Sequence, residues 1–103
     1  MRGKGFTVEI RPAGWRGTEV GPYARAVRAE GGWQLVYLRP GMEKWRERLI
    51  KAYFSEEPAP PELSAFSDLL SMPRRTEEEV LATNILLSAL NMEAVILGER
   101  EEV

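Results

Sequence analysis

Proline sets where this chain can be regular. Its seven prolines lack an amide donor and bias the preceding residue toward extended backbone. Pro12, Pro22, Pro40, the run Pro58-Ala59-Pro60-Pro61 and Pro73 therefore cut the chain into short elements.

Before Pro12, Phe6, Val8 and Ile10 alternate with Thr7, Glu9 and Arg11. A period of two is the mark of a half-buried strand. Residues 12–22, Pro-Ala-Gly-Trp-Arg-Gly-Thr-Glu-Val-Gly-Pro, read as a long Gly/Pro loop, the kind that in a compact domain is often functional. Tyr23 to Glu30 and Trp33 to Arg39 then flank Gly31-Gly32, and two glycines free to take positive φ predict a two-residue hairpin turn. With Glu30 set opposite Trp33, Val27 faces Val36 and Arg25 faces Leu38 on one side of the sheet. Ala26 then faces Tyr37 and Arg28 faces Leu35 on the other. One side packs on helices, and the other presents aromatics and arginines.

After Pro40-Gly41 the period changes. Met42, Trp45, Leu49 and Tyr53 recur at helical spacing and leave Lys44, Arg48 and Lys51 as a basic stripe on the opposite face. Residues 56–61 form a stiff acidic connector. A second helix runs through about Met72, with Leu63, Phe66 and Leu70 inward and Ser64, Ser67, Asp68 and Ser71 outward. Thr76-Glu77-Glu78-Glu79 is a capping box, the strongest local signal in the chain. The helix it starts carries Val80, Leu81, Ile85, Leu86, Leu87 and Leu90, an apolar surface wide enough for a central core helix or an oligomer interface. Asn91 stops it, and the β-branched pair in Glu93-Ala94-Val95-Ile96-Leu97-Gly98 favours a closing strand beside the hairpin or on another subunit's edge.

The expected architecture is a single α+β domain over 1–103. It has two layers, a three- or four-stranded antiparallel sheet packed on one face by about three helices, in the order βββαααβ. Its 1–40 part is β-rich and basic, and its 41–103 part is mainly helical and acidic.

That division is also one of charge. Residues 1–53 hold eleven Lys/Arg against five Glu, and residues 54–103 hold three Arg against eleven Asp/Glu. All three Trp and all three Tyr lie in the basic half. Two readings follow. Complementary basic and acidic patches on different subunits steer association, which gives a non-catalytic protein-binding or self-assembly module, a homo-oligomer or a module docking on a protein partner. The alternative is a single-stranded RNA or DNA surface in which arginines and lysines meet phosphates and rings stack on bases. The candidate residues for either are Trp15, Arg16, Arg25, Arg28, Trp33, Tyr37, Arg39, Lys44, Arg48 and Lys51. A pI near 5.3 favours the first reading, because nucleic-acid domains tend to be strongly basic.

Several chemistries are closed to this chain. With no histidine and no cysteine, the usual general base near neutral pH, the thiolate nucleophile and the common zinc ligand sets are missing. The three glutamates at 77–79 complement a helix dipole and need no metal. The glycines at 14, 17 and 21 match no phosphate-binding fingerprint. No catalytic residue, metal or cofactor is expected. No stretch approaches the roughly 18 apolar residues of a membrane span, and no leader-like apolar segment follows Met1, so a soluble cytoplasmic protein without membrane association is expected. Few Asn and Gln beside abundant Glu and Arg give a thermophile-like composition.

Overall fold

A computed structural model describes residues 5–14, 21–56 and 58–97. Strands β1 (Phe6–Pro12), β2 (Ala24–Ala29), β3 (Gly32–Leu38) and β4 (Met92–Leu97) form one antiparallel sheet in the order β3-β2-β1-β4. Between β3 and β4 come α1 (Lys44–Ser55), a 3-10 segment at Pro61–Phe66, α2 (Ser67–Ser71), α3 (Glu77–Ala82), α4 (Asn84–Leu87) and a 3-10 turn at Ser88–Leu90. This is the α+β arrangement expected from the sequence. The last strand settles beside β1, on the edge away from the hairpin.

Alternation decides which residues meet the helices. Val8 and Ile10 of β1, Ala24 and Ala26 of β2, and Met92 and Ala94 of β4 point inward and are buried. The small alanines let the helices approach closely. From the helical layer come Leu49, Ile50, Tyr53, Phe54, Leu63, Leu69, Leu70, Val80 and Leu87. α1 lies over β3, while α3 and α4 lie over β4. Burying each large side chain of this set stabilises the fold by roughly 1.5–3 kcal/mol.

The hairpin departs from the predicted register. Ala29 pairs with Gly32, Arg28 with Trp33, Val27 with Gln34 and Ala26 with Leu35, so the turn falls on Glu30-Gly31 and Gly32 carries the positive φ of 130°. A bulge follows: Arg25 pairs with Tyr37 and Ala24 with Leu38, leaving Val36 as the extra residue. The predicted pairs Val27–Val36, Arg25–Leu38, Ala26–Tyr37 and Arg28–Leu35 are therefore replaced. Leu35 and Leu38 are three apart, a spacing no regular strand can bury on one side. The bulge turns both inward, where they pack against the core, and leaves Val36 and Tyr37 50% and 37% exposed.

The helix after the capping box also departs from expectation. The box forms as read: Thr76 Oγ1 accepts from Glu79 N at 3.1 Å, and Thr76 N donates to Glu79 Oε1 at 3.2 Å. The helix then breaks at Thr83, which is fully buried. Its hydroxyl donates to the Val80 carbonyl, its own amide bonds the same carbonyl, and the next turn tightens, with Leu86 N reaching Thr83 O. A threonine that bonds back to the preceding turn bends a helix. Asn91 ends the run in the left-handed conformation, φ 60°, and its carbonyl accepts from Ala13 N at 2.9 Å.

Candidate interaction surface

The structure distributes the candidate residues over three places. On the helix-facing side of the hairpin, Arg28 Nη1 and Trp33 Nε1 both donate to Glu56 Oε2, at 2.6 and 2.8 Å. Trp33 also meets Phe6 and Phe54 edge to face, with ring centres 5.9 and 5.0 Å apart. This tryptophan fastens the hairpin to the end of α1. Glu56 takes left-handed backbone geometry there, φ 60°, and its amide closes α1 onto the Ala52 carbonyl.

Arg25 and Tyr37 face the other way, onto the side of the sheet without helices. At its centre Glu9 is only 4% exposed. It is held between Arg11 Nε on Oε1 at 2.9 Å and Arg25 Nε and Nη2 on Oε2 at 2.9 and 2.6 Å. A carboxylate can be nearly buried on an open sheet face because two guanidinium groups roof it over.

The third place is α1. Arg48 pairs with Glu62 at 2.7 Å and Lys51 with Glu47 at 3.2 Å, while Lys44 and Arg39 make no ion pair among the described residues. Trp45 stacks on Phe66, ring centres 5.5 Å apart and planes at 11°. Trp15 and Arg16 lie outside the described residues. The eight described positions thus form no single basic, aromatic surface, and most of the cations among them are engaged by carboxylates of the same chain.

A different surface stands out on the helical layer. Leu81 is 48% and Ile85 77% exposed, one helical turn apart, and exposed Ala89 continues the same spacing. Ala89 also lines a mainly apolar cleft of about 190 Å³, with Ala65, Phe66, Asp68, Leu69, Leu86 and Leu90. Leu81 and Ile85 were visible in the sequence as part of a helix too apolar for one buried stripe; the residue missed was Asn84. Its Nδ2 donates to Ala94 O at 3.0 Å, and its Oδ1 accepts from Ala94 N at 2.7 Å. The side chain thus acts as a short piece of strand along the β4 edge.

Among the described residues, the two ionisable groups displaced from their ordinary behaviour, Arg74 and Tyr53, are both structural. Arg74, 1% exposed, donates to the carbonyls of Tyr53, Leu69, Leu70 and Met72 at 2.9, 3.1, 3.2 and 2.6 Å. It gathers the ends of α1 and α2 on one guanidinium. Burial lowers its pKa, partly offset by Tyr53 and Glu56. Burial raises the Tyr53 phenol, opposed by its hydrogen bond with Thr83 and by Arg74. The Thr83 hydroxyl hydrogen is already given to Val80, so the phenol is the donor in the 2.9 Å contact between the two side chains.

Another hollow, of about 440 Å³, lies between α1 and the proline connector, lined by Arg48, Lys51, Ala52, Ser55, Pro58, Pro60 and Glu62. Its two cations are those already paired with Glu62 and Glu47. Among the described residues, no three His, Cys, Asp or Glu side chains gather in a way that could hold a metal ion, and no helix is long and apolar enough to cross a membrane. Compared with known proteins, the chain matches no family model, no curated protein and no solved structure.

Proposed function

We propose that this chain is a non-catalytic protein-binding module whose partner is a second copy of itself, joined through the Leu81–Ile85 ridge. The observation that carries the reading is the 77% exposure of Ile85. An isoleucine so displayed loses the benefit of burial unless a partner covers it.

The layout of the ridge suits a two-fold contact. When two such ridges cross antiparallel, Leu81 of one copy meets Ile85 of the other. The acidic start of the helix, Glu77 and Glu78, then falls against the uncharged Ser88 and Ala89 of the partner. Like charges are kept apart, as a self-complementary interface requires. Asn84 supports the same reading by covering the neighbouring strand edge, which favours pairing of helix faces over pairing of sheets.

The ion pairs of Arg25, Arg28, Arg48 and Lys51 weigh against the single-stranded nucleic-acid alternative. A phosphate track would have to displace Glu9, Glu56, Glu62 and Glu47 from these cations one after another.

Light-scattering mass on a size-exclusion column tests the proposal across protein concentrations, at low and high salt, with and without mixed-sequence single-stranded RNA. A dimer that persists in high salt and ignores RNA is expected. A monomer at every concentration sinks the proposal, and a monomer that gains mass with RNA only at low salt replaces it.

A further inference from the structure

The fold uses only part of the Arg74 guanidinium. Nε and Nη1 donate to the carbonyls of Tyr53, Leu69, Leu70 and Met72, while Nη2 reaches no acceptor among the described residues. Of the buried side-chain nitrogens and oxygens of those residues, the one without a hydrogen-bond partner is Arg46 Nε. Nη2 also lacks a partner and is therefore within reach of solvent, although the residue as a whole is only 1% exposed. It opens onto a hollow of about 260 Å³ that Arg74 lines together with Glu56, Leu70, Ser71, Met72, Pro73 and Arg75.

The walls of this hollow are cationic on balance. Two guanidinium groups, those of Arg74 and the exposed Arg75, stand against one carboxylate. That carboxylate is already in use, because Glu56 Oε2 accepts from Arg28 Nη1 and Trp33 Nε1 at 2.6 and 2.8 Å. Arg74 itself has no carboxylate within ion-pair distance among the described residues, and burial disfavours its charge. An anion in the hollow gains a charge-assisted hydrogen bond from a cation whose other nitrogens are closed off by carbonyls.

Size and lining narrow the class of anion. The volume lies just below the roughly 300 Å³ at which pockets for drug-sized ligands begin, and it exceeds what a bare ion needs. Leu70, Met72 and Pro73 give the hollow an apolar wall.

We propose that this hollow binds a small organic monocarboxylate, with its carboxylate on Arg74 Nη2 and the Arg75 guanidinium and its short carbon chain against Leu70, Met72 and Pro73. One negative charge suits the walls. Two cations set against Glu56 leave a single positive charge to balance, and the second charge of a dianion would meet that carboxylate uncompensated. Arg74 needs no rearrangement to receive the ligand, since its bonds to four carbonyls already fix it, and a preorganised donor loses little freedom on binding. None of these residues belongs to the Leu81–Ile85 ridge, so the site stands whether or not the chain dimerises.

The test is a titration of the full chain with sodium butyrate at neutral pH and constant ionic strength, followed by nitrogen-15 NMR of the backbone amides and the arginine Nε–Hε groups. Saturable shifts centred on residues 70–75 are expected, the Arg74 Nε–Hε resonance among them. Butyramide, the same carbon chain without the charge, leaves them in place. Ser71→Leu fills the hollow and Arg75→Gln removes the exposed cation, and each weakens butyrate binding about tenfold or more, the loss expected for one charge-assisted hydrogen bond. Arg48→Gln leaves it unchanged. The wild-type comparison of butyrate with butyramide decides the matter even where a variant folds poorly. Shifts that never saturate overturn the site, as does an equal response to butyramide or an equal loss in Arg48→Gln. Inorganic phosphate that binds more tightly than butyrate through the same residues overturns the carboxylate assignment in favour of a phosphate-class anion.

Discussion

Asn84 and Ala94 exchange two hydrogen bonds, Nδ2 to the carbonyl at 3.0 Å and the backbone amide to Oδ1 at 2.7 Å, so a helix side chain occupies the place of a fifth strand at this point of the sheet. Replacing Asn84 with alanine strands both backbone groups of Ala94, at a cost of about 1–3 kcal/mol. It also opens the β4 edge, which ends in Val95-Ile96-Leu97. Asn84→Ala is expected to lower stability in urea and to associate more strongly than the parent. Asn84→Asp, which keeps the acceptor and loses the donor, should fall between the two. Making both changes in an Ile85→Lys background separates edge pairing from ridge pairing, and a variant there that stays as stable and as dispersed as its parent would show that the edge needs no guard.

Glu56 combines a carboxylate that anchors the hairpin with a backbone that would suit glycine. Its φ of 60° disfavours any residue with a Cβ, while its Oε2 holds both Arg28 and Trp33. Glu56→Ala loses the anchor and keeps the strain, so a loss of about 1–2 kcal/mol is expected. Glu56→Gly loses the anchor and relieves the strain, worth about 1 kcal/mol, and should be the milder change. Urea midpoints give the order directly; glycine worse than alanine would mean that the left-handed residue carries no strain.

Tyr53 makes stability depend on alkaline pH. Its folded pKa lies above the ordinary 10.0, so in the window from there up to the folded value the unfolded phenol has lost a proton that the folded one keeps. Stability conferred by this group is complete below pH 10 and falls as pH rises through that window. The lowered pKa of Arg74 acts in the opposite sense, because there the unfolded state holds the extra proton. Comparing wild type with Tyr53→Phe keeps Arg74 in both proteins and exposes the phenol's part. The variant should be about 0.5–1.5 kcal/mol less stable at pH 8, from the lost bond to Thr83, and should lose less on going to pH 11. Parallel losses in the two proteins would remove Tyr53 from the account.

What the sequence disclosed was local and periodic. Alternation in Phe6 to Arg11, the stripe Leu49–Tyr53 and the reciprocal pair Thr76–Glu79 each depend on neighbours within one turn or one pleat, so they survive without knowledge of the fold. The hairpin register was lost because Glu30-Gly31-Gly32 offers two overlapping turns, and the choice rests on Trp33 reaching Glu56 and on a bulge that buries Leu35 and Leu38 together. The break at Thr83 was hidden because a buried hydroxyl in mid-helix gains its meaning only from Tyr53, thirty residues away in the chain. Arg74 gave no signal, since the carbonyls it holds and the hollow it opens onto exist only once α1 and α2 have packed together. The exposed Leu81 and Ile85 were legible as an excess of apolar residues, though not which of them the core would leave outside.

Sedimentation equilibrium on the wild-type chain and on Leu81→Lys and Ile85→Lys tests the self-association directly. The substitutions lie on the surface, so their urea midpoints should stay close to wild type, within about 0.5 kcal/mol. The expected result is a dimer for the wild type and a monomer for either variant at the same concentration. A wild-type chain that is monomeric throughout, or variants that dimerise as well as the parent, would contradict it.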